Sequence, residues 1–340
     1  MEHTSPIRTV RQELIPLSAR AAWEEALQNI PHAFGHTWEN CYAMQLTTGY
    51  ATYLYLLQSG DLRIVCPLAE RKYQGYTDIV TPYGFSGFAG TKDFSDFPDY
   101  WRRFISQAGY VCGYIGLNPL LVDETYLSAT DIYHYNSVYV LNLQLSSAEL
   151  YQRLSQNRKR QLRGWEGEAH RVITEKKELK KFFIAQYHTF ITRKNAAPVY
   201  NFSLPTLLYL LDLEQVMLVG FQEAGEIKAV SVFASTSTIA DYFFNVSLPG
   251  YQNQTAFLFW HGMLQLKSKG ISYLNLGGGA TADDSIAHFK QRFGAATLPL
   301  ICLKQVYNEV LYADLCREEQ VDPLNKEGYF PPYRRGDRAL

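Results

Sequence analysis

Residues 271–279 read Ile-Ser-Tyr-Leu-Asn-Leu-Gly-Gly-Gly, and residues 289–294 read Phe-Lys-Gln-Arg-Phe-Gly. The first six residues alternate apolar with small polar side chains, which is typical of a short buried strand. Glycine allows positive φ angles and a close approach of other groups. Apolar residues then recur at helical spacing, after an N-cap at Asp284 or Ser285 and before a helix stop at Gly294.

This strand–loop–helix segment has two interpretations. A glycine loop between a strand end and a helix start favours a site for an oxyanion or a phosphate. Alternatively, the glycines only turn the chain from the strand into the helix.

The composition is that of a soluble globular protein. Its 340 residues favour two domains over a single core, and 47% of them are hydrophobic. The net charge of −1 creates no global attraction for nucleic acid, so any contact with a polyanion needs a local basic patch. The five cysteines are widely spaced and form no metal-binding pattern, so we expect no metal and reduced thiols in a cytoplasmic protein. No apolar run reaches the length of a membrane span.

The hydrophobic pattern predicts an α+β order that repeats roughly once. Helices are predicted at residues 18–30, 97–108, 175–193, 204–212 and 255–267, and a further one begins at Ala148. Strands are predicted at residues 50–57, 62–68, 110–117, 133–143, 216–222, 227–235, 240–246, 271–276 and 298–305. The repeat predicts domains at 1–145 and 146–310, and a tail at 311–340 that packs back on the body.

Four motifs follow one another in a fixed order. They are Tyr-Gly-Phe-Ser-Gly at 83–87, Asn-Pro-Leu-Leu at 118–121, the basic segment 155–163, and the segment 274–294 that contains the glycine loop. Together they resemble the Fem-type (FemAB- and FemX-like) aminoacyltransferases of the GNAT-like acyltransferase superfamily. The first motif departs from the usual form of that family at Phe85 and Ser86.

The resemblance implies a fold, a reaction and partners. The fold would be two tandem GNAT-like domains, each with a mixed, mostly antiparallel sheet flanked by helices. The reaction would be acyl transfer to an amine, which forms an amide bond. In Fem enzymes the donor is aminoacyl-tRNA and the acceptor is a peptidoglycan precursor peptide, whereas other relatives use acyl-CoA. The long coiled-coil arm of some Fem enzymes has no counterpart in this sequence, and no cofactor is expected.

Acyl transfer to an amine needs a neutral amine, a positioned carbonyl and donors for the oxyanion. Lys290 and the backbone amides of Gly277, Gly278 and Gly279 are candidates for those donors. Lys290 is also a candidate for pairing with a phosphate. The alternative is that Lys290 is an ordinary solvated lysine on a helix, without a function. Asp241 is the candidate general base. By residue type Asp283, Asp284 and His261 are others, although His261 lies on an apolar helix, where a core histidine is more typical.

The remaining candidates bind substrates. Tyr83 and Gly84 belong to the first glycine loop, and Tyr242 and Asn245 follow Asp241 on its strand. Tyr200 and Asn201 resemble the Y-x-F segment that precedes the next helix in the family, and they are candidates for lining the acceptor groove, with simple packing as the alternative. The candidates for binding tRNA phosphate are Arg158, Arg160, Arg163 and Arg292, the first three of which lie close to Lys159 in the sequence. The alternative is that these residues only form a solvated charged face.

Three functions therefore compete. The first is transfer of an aminoacyl group from aminoacyl-tRNA to a peptide or small amine. The second is an N-acyltransferase that uses acyl-CoA or a carrier protein. Coenzyme A would require a glycine-rich basic loop after the fourth strand, but residues 248–256 contain one glycine and no basic residue. The third is a binding protein on a degenerate transferase fold.

Overall fold

The computed structural model describes residues 10–279 and 284–339. Its strands are β1 (Arg11–Pro16), β2 (Thr52–Ser59), β3 (Leu62–Tyr73), β4 (Tyr76–Val80), β5 (Ala89–Gly90), β6 (Cys112–Gly116), β7 (Ile132–Asn142), β8 (Val172–Ile173), β9 (Val216–Glu223), β10 (Glu226–Ser235), β11 (Ile239–Ser247), β12 (Tyr273–Gly278) and β13 (Ala296–Val306). Its α-helices are α1 (Arg20–Leu27), α2 (Trp38–Thr48), α3 (Phe97–Gln107), α4 (Ser147–Arg153), α5 (Gln156–Gln161), α6 (Trp165–Glu168), α7 (Lys176–Arg193), α8 (Leu204–Asp212), α9 (Thr255–Ser268), α10 (Ser285–Gln291) and α11 (Glu309–Glu318).

The α+β class and the mixed, mostly antiparallel pairing are confirmed. Contacts within the chain define two compact units, one formed by residues 10–135 with Ile301–Ala339 and the other by Asn136–Leu300. The chain passes from the first unit to the second after Tyr135 and returns to the first after Leu300, whereas the predicted boundaries are at 145 and 310. The C-terminal tail belongs to the first unit. Two tandem GNAT-like domains with those boundaries stay a prediction. Among the described residues, no helix has both the length and the apolar character that crossing a membrane requires.

In the first unit the strands lie in the order β1, β2, β3, β4, β6 and β13. All neighbours are antiparallel except β4 and β6, which are parallel and joined through α3. In the second unit the order is β7, β12, β11, β10, β9 and β8, again with one parallel pair, β11 and β12, joined through α9. Each unit therefore contains a strand–helix–strand crossover at the same place in its topology.

Each parallel pair is bonded only over a short stretch. The β4–β6 pair has the rungs Ile79–Gly113 and Val80–Tyr114. The β11–β12 pair has three rungs, the last of which joins Asp241 to Asn275, although β11 continues to Ser247. Beyond the last rung the two strands are no longer paired with each other, so side chains at that point border the opening between them.

The helix α9 packs on one face of the second sheet, and most of its side chains are apolar and buried. Phe259 and Trp260 are buried in a core that also contains Leu274, Leu276 and Phe293. This core fixes β12 and α10, and therefore the glycine loop, relative to the rest of the second unit.

Several elements were not predicted from the sequence. The helix α2 is one, although Thr37 accepts a hydrogen bond from the Asn40 amide as its N-cap and Gly49 ends it at a φ of 68°. The strands β1 and β4 and the helix α11 were also missed. The strand predicted at 271–276 is β12, which begins two residues later and extends into the glycines.

Gly294 ends the helical segment that follows the glycine loop, and we expect its replacement by alanine to destabilise the protein. Its φ is 76°, and an added Cβ would lie 2.7 Å from the Arg153 carbonyl oxygen. Gly270 has a similar φ of 81° but open space around it. Gly270→Ala should cost about 1–2 kcal/mol through backbone strain, and Gly294→Ala about 1–3 kcal/mol more through the contact.

Urea unfolding of the two glycine variants and the unchanged protein measures this difference. Equal losses for Gly294→Ala and Gly270→Ala would contradict the close packing of the α10 end against α4.

Candidate active site

A buried polar pair lies at the last rung of the parallel strand pair in the second unit. Asp241 and Asn275 lie directly opposite each other, and the Asn275 Nδ2 donates a hydrogen bond of 3.0 Å to the Asp241 Oδ1. Both side chains are buried, with 5% and 1% exposure. The corresponding rung of the first unit is Val80 opposite Tyr114, which carries no carboxylate.

The environment of Asp241 changes its acidity. Burial raises the pKa of its carboxyl from 3.8 to about 7, and the hydrogen bond from Asn275 opposes this in part. A carboxyl with a pKa near 7 exchanges a proton readily at neutral pH, which is the property required of a general base.

Tyr242 lies on the opposite face of β11 from Asp241, since neighbouring strand residues point to opposite faces. Its ring centre is 5.2 Å from that of Phe259 on α9, and its hydroxyl is 3.3 Å from the Ser231 Oγ. Asn245 joins the same group because its Nδ2 donates to the Ser231 Oγ at 3.2 Å. Tyr242, Ser231 and Asn245 therefore form a polar cluster beneath the start of α9.

Lys290 points inward rather than into solvent. It is 6% exposed, and its Nζ donates a hydrogen bond of 2.5 Å to the Gly278 carbonyl oxygen. Burial lowers the pKa of the ammonium to about 8, against the opposing charge of Asp284. Within the described residues, no hydrogen bond or ion pair connects Lys290 to Asp241. The two predicted catalytic groups thus have separate environments.

The three glycines have partners inside the second unit. The Gly277 amide donates to the Asn275 Oδ1 at 2.9 Å and has a φ of 72°. An added Cβ at Gly278 would lie 2.9 Å from the Ser137 carbonyl oxygen. The Gly279 carbonyl accepts a hydrogen bond from Asn136. The glycines at 277–279 are therefore held by hydrogen bonds within the unit, the Gly278 carbonyl anchors Lys290, and the Gly277 amide is already engaged.

Arg158, the first of the predicted phosphate-binding arginines, is buried. It is 4% exposed, and its guanidinium lies 4.6 Å and 4.2 Å from the ring centres of Phe289 and Phe293. Its Nη1 donates to the Gln161 Oε1 at 2.6 Å. Burial, together with the charge of Arg292, lowers its pKa to about 10. Arg158 therefore connects α5 to the aromatic face of α10 through cation–π contacts.

The other arginines of this group are exposed. Arg160 contacts Asn157 on its own helix, and Arg163 and Arg292 reach the surface. The Ser155 amide donates to the Arg292 carbonyl at 3.0 Å, so the start of α5 lies beside the end of α10. An exposed basic surface thus surrounds buried Arg158.

The predicted acceptor residues Tyr200 and Asn201 are exposed in the turn between α7 and α8. The Tyr200 carbonyl accepts a hydrogen bond of 2.7 Å from Tyr187, which fixes the turn against α7.

In the first unit, the Tyr83 carbonyl accepts a hydrogen bond from Asn40. Gly84 has a φ of 126° and lies against Gly35, where an added Cβ would be 3.2 Å from the Gly35 Cα. The Asn118 side chain closes the same loop by donating to the Phe85 carbonyl. The hydrogen bond from Asn118 to Phe85 thus joins the first two motifs within the first unit.

Two of the other candidate general bases, His261 and Asp284, have partners on helices of the second unit. His261 is half-buried, and its Nε2 lies 2.7 Å from the Nε2 of Gln265, one turn further along α9. The Asp284 carboxylate accepts a hydrogen bond from the Ala287 amide and so caps α10, as predicted. Asp283 lies outside the described residues.

Asn275 and Ser231 were not proposed as site residues from the sequence. Both are polar residues in otherwise apolar strand segments, and both are buried. A buried polar residue needs a partner, so its position within a core strand was the available signal.

The chain has a Fem-like fold. FemX is similar with a TM-score of 0.65 at 12% identity, over 89% of this chain and 98% of FemX. L-PGS from Bacillus licheniformis is similar with a TM-score of 0.56 at 12% identity, over 85% and 92% of the two chains.

A third structure is the C-terminal domain of a putative lysylphosphatidylglycerol synthetase from Agrobacterium fabrum. Its TM-score is 0.53 at 16% identity, over 87% of this chain and 97% of that domain. No protein-family model and no curated protein sequence matches the chain. At these identities the likeness defines the fold.

Proposed function

We propose that this chain is an N-acyltransferase that transfers an aminoacyl group from aminoacyl-tRNA to an amine of a peptide or a small molecule. The observation that carries this proposal is the buried Asp241 carboxyl, hydrogen-bonded to Asn275 where the parallel strands of a Fem-type fold diverge. The acceptor class that the Fem likeness favours is a peptide similar to a peptidoglycan precursor.

The proposed reaction is an aminolysis of an ester. The acceptor nitrogen attacks the carbonyl carbon of the aminoacyl ester, so a C–N bond forms and the ester C–O bond to the terminal ribose breaks. The nitrogen loses one proton, and the ribose oxygen gains one as it leaves. The chain must therefore supply a proton acceptor, a donor for the oxyanion and a means of holding the RNA end.

Asp241 is the proposed proton acceptor. Its raised pKa allows the carboxylate to take the proton of the attacking amine at neutral pH and release it afterwards. The Asn275 amide keeps the carboxyl oriented. Tyr242 and Asn245, on the other face of β11, are proposed to contact a part of the substrate away from the attacking amine, with Ser231 orienting both.

Lys290 is proposed to supply the positive charge. Its ammonium, fixed beside Gly278, would stabilise the developing oxyanion or a phosphate of the RNA end. Gly277 and Gly279 are proposed to shape this approach, with Asn275 and Asn136 as their partners.

The exposed basic surface is proposed to hold the RNA. Arg160, Arg163 and Arg292 would contact backbone phosphates, while Arg158 would maintain the surface by bracing α10. Tyr83 and Gly84 of the first unit and Tyr200 and Asn201 of the second are proposed acceptor contacts. A cytoplasmic location is part of the same proposal.

The β11–α9 connection favours RNA over coenzyme A as the donor. It contains Gly250 at a φ of 88°, followed by a short turn at Gln252–Gln254, and it has no basic residue. A pyrophosphate would therefore lack positively charged partners in this connection.

The direct test supplies purified protein with tRNA charged with labelled amino acids and with a panel of amine acceptors. We expect labelled amide product and at least about a tenfold loss of rate for Lys290→Ala, with little change for Lys269→Ala, since Lys269 is exposed and lies outside the basic surface. Transfer from acyl-CoA but not from charged tRNA would replace the proposed donor. No transfer from either donor would favour a binding protein on this fold.

A further inference from the structure

An exposed aromatic ring borders the exposed basic surface of the second unit. Tyr151 on α4 is 40% exposed, whereas Leu150 and Leu154 of the same segment are buried in the core. The two leucines are one turn apart and form the inner side of this segment. Packing of α4 therefore does not require the tyrosine, and the chain places a large flat side chain at the surface.

Two neighbours hold the Tyr151 ring in position. Its centre lies 6.0 Å from that of Trp260 on α9, and the two ring planes are inclined at 72°. The Lys159 Nζ on α5 lies 6.0 Å from the Tyr151 ring centre, and it donates a hydrogen bond of 2.9 Å to the Gln152 carbonyl. Among the described residues, no aromatic ring is stacked face to face on Tyr151. The ring is thus oriented by its neighbours without a stacked partner.

The cations beside this ring lack carboxylate partners. Lys159 and Arg163 are four residues apart and therefore lie on one side of the α5 segment, with Arg160 next to them. Arg292 joins them because its carbonyl accepts a hydrogen bond of 3.0 Å from the Ser155 amide at the start of α5. None of these four cations forms an ion pair with a residue that the structure describes. The ion pairs described within the second unit involve Arg171, Lys180, Lys181 and Lys228.

The acidic residues near this surface are few and already engaged. Residues 147–163 contain five lysines and arginines and one carboxylate, Glu149, and residues 285–294 contain no carboxylate. The Glu149 Oε2 accepts hydrogen bonds from the amide and the hydroxyl of Ser146, at 2.8 Å and 2.6 Å, at the start of α4. Glu168, the next described carboxylate along the chain, is in an ion pair. A polyanion that approaches Tyr151 therefore meets an excess of positive charge.

We infer that Tyr151 and the neighbouring cations form a site for single-stranded RNA, in which the Tyr151 ring stacks on an unpaired base. A tyrosine ring and a base both present a flat π face, and stacking between them tolerates any sequence. Cations that are spread over a surface suit phosphates that are spaced along a strand. An acidic peptide or an anionic membrane would meet the same cations, but a base also offers a flat face to the ring.

The inference deepens the proposed function, on which it rests in taking RNA as the ligand. The aminoacylated end of a tRNA is single-stranded, so its bases are free to leave their own stack. In a duplex the bases are stacked on one another and are not available to a side chain at the protein surface. The site would therefore distinguish the unpaired end of the RNA from its paired stem.

Fluorescence anisotropy of the full-length protein with a labelled RNA strand of about ten nucleotides tests the inference. We expect Tyr151→Ala to weaken binding of the single strand by about tenfold, while Tyr151→Phe and Tyr151→Trp bind at least as tightly as the unchanged protein. Tyr151→Leu should bind like the alanine variant, because leucine retains apolar bulk without a flat face. The affinity for the same strand in a duplex should not change in any of these variants.

The dependence on salt separates stacking from charge. In a plot of log affinity against log salt concentration, Arg163→Gln should reduce the slope by about 0.7, the value for one phosphate contact of a single strand. Tyr151→Ala should lower the affinity at each salt concentration and leave the slope unchanged, because it removes no charge.

Tyr76→Ala is the matched control, because Tyr76 is 44% exposed on β4 of the first unit. Its RNA binding should equal that of the unchanged protein, and circular dichroism establishes that each variant is folded. Equal binding of the single strand by Tyr151→Ala and the unchanged protein would overturn the inference. So would a leucine variant that binds as tightly as the phenylalanine variant, or Tyr151-dependent binding of anionic vesicles or an acidic peptide without binding of RNA.

The same measurements distinguish a failure of this inference from a failure of the proposed function. Binding of the single strand through Tyr151, without transfer from charged tRNA, would support the inference and count against the proposed transfer. Transfer from charged tRNA, with RNA binding that does not depend on Tyr151, would support the proposed function and overturn the inference.

Discussion

Replacement of Asp241 by asparagine is expected to reduce kcat for acyl transfer by about 10²–10⁴-fold, the usual contribution of a general base. Asparagine preserves the shape of the side chain and can still accept the hydrogen bond from Asn275. It cannot accept a proton from the attacking amine. In the unchanged protein, kcat should rise with pH and level off above about 7, because the carboxylate is the active form.

The same substitution is expected to stabilise the fold at pH 8. The pKa of Asp241 is raised in the folded protein, so the folded state holds its proton more tightly than the unfolded state. Stability from this group is complete below pH 4 and is lost as the pH rises to about 7. Asparagine avoids this loss, and we expect Asp241→Asn to gain about 2–4 kcal/mol at pH 8.

Asp212→Asn provides the control, since Asp212 is an exposed carboxylate of the same unit. Asp212→Asn should change neither kcat nor the free energy of unfolding appreciably, because an exposed ion pair contributes little. Unfolding in urea at pH 4 and pH 8, with kcat measured across the same range, separates the two variants. An Asp241→Asn variant with unchanged kcat would remove Asp241 from the mechanism.

The largest loss of stability is expected at Asp78 in the first unit. Its carboxylate accepts hydrogen bonds from the Nε atoms of Arg71, at 2.6 Å, and Arg334, at 2.5 Å. All three side chains are at least nine-tenths buried. Asp78→Asn leaves two buried guanidinium groups without their shared carboxylate, which should cost about 3–5 kcal/mol of unfolding free energy. The same contact fastens the C-terminal tail to β4.

Two further variants make the Asp78 prediction specific. Arg334→Met should cost less than Asp78→Asn, because Asp78 and Arg71 remain paired. Asp61→Ala removes the partner of Lys92 in an exposed pair and should cost less than about 1 kcal/mol. Urea unfolding of the three variants gives their order, and a cost for Asp78→Asn no greater than for Asp61→Ala would contradict this interpretation.

The strands and helices with strong periodicity could be predicted from the sequence, and most of the predicted elements were found with ends shifted by a few residues. The helix α2 was missed because its mixture of polar and apolar residues obscures the period, although Thr37 and Gly49 cap it. The strand pairing could not be predicted, because β7 and β13 pair far from their chain neighbours.

The contacts of the candidate site residues were harder to predict from the sequence than the strands and helices. The position of Asp241 on a strand was predictable, but its rung with Asn275 depends on parallel pairing across an intervening helix. The basic run at 158–163 gave no indication that Arg158 turns inward onto Phe289 and Phe293 while Arg160 faces solvent. Helical spacing locates a face but does not reveal which face another element covers.

Asp241 is proposed to support aminoacyl transfer from charged tRNA. The most direct measurement is single-turnover transfer of a labelled amino acid from charged tRNA to an amine acceptor, compared for the unchanged protein and Asp241→Asn. We expect amide product with the unchanged protein and a rate lower by at least about 10²-fold with the variant. Product formation at equal rates by both proteins, or from acyl-CoA alone, would contradict this role of Asp241.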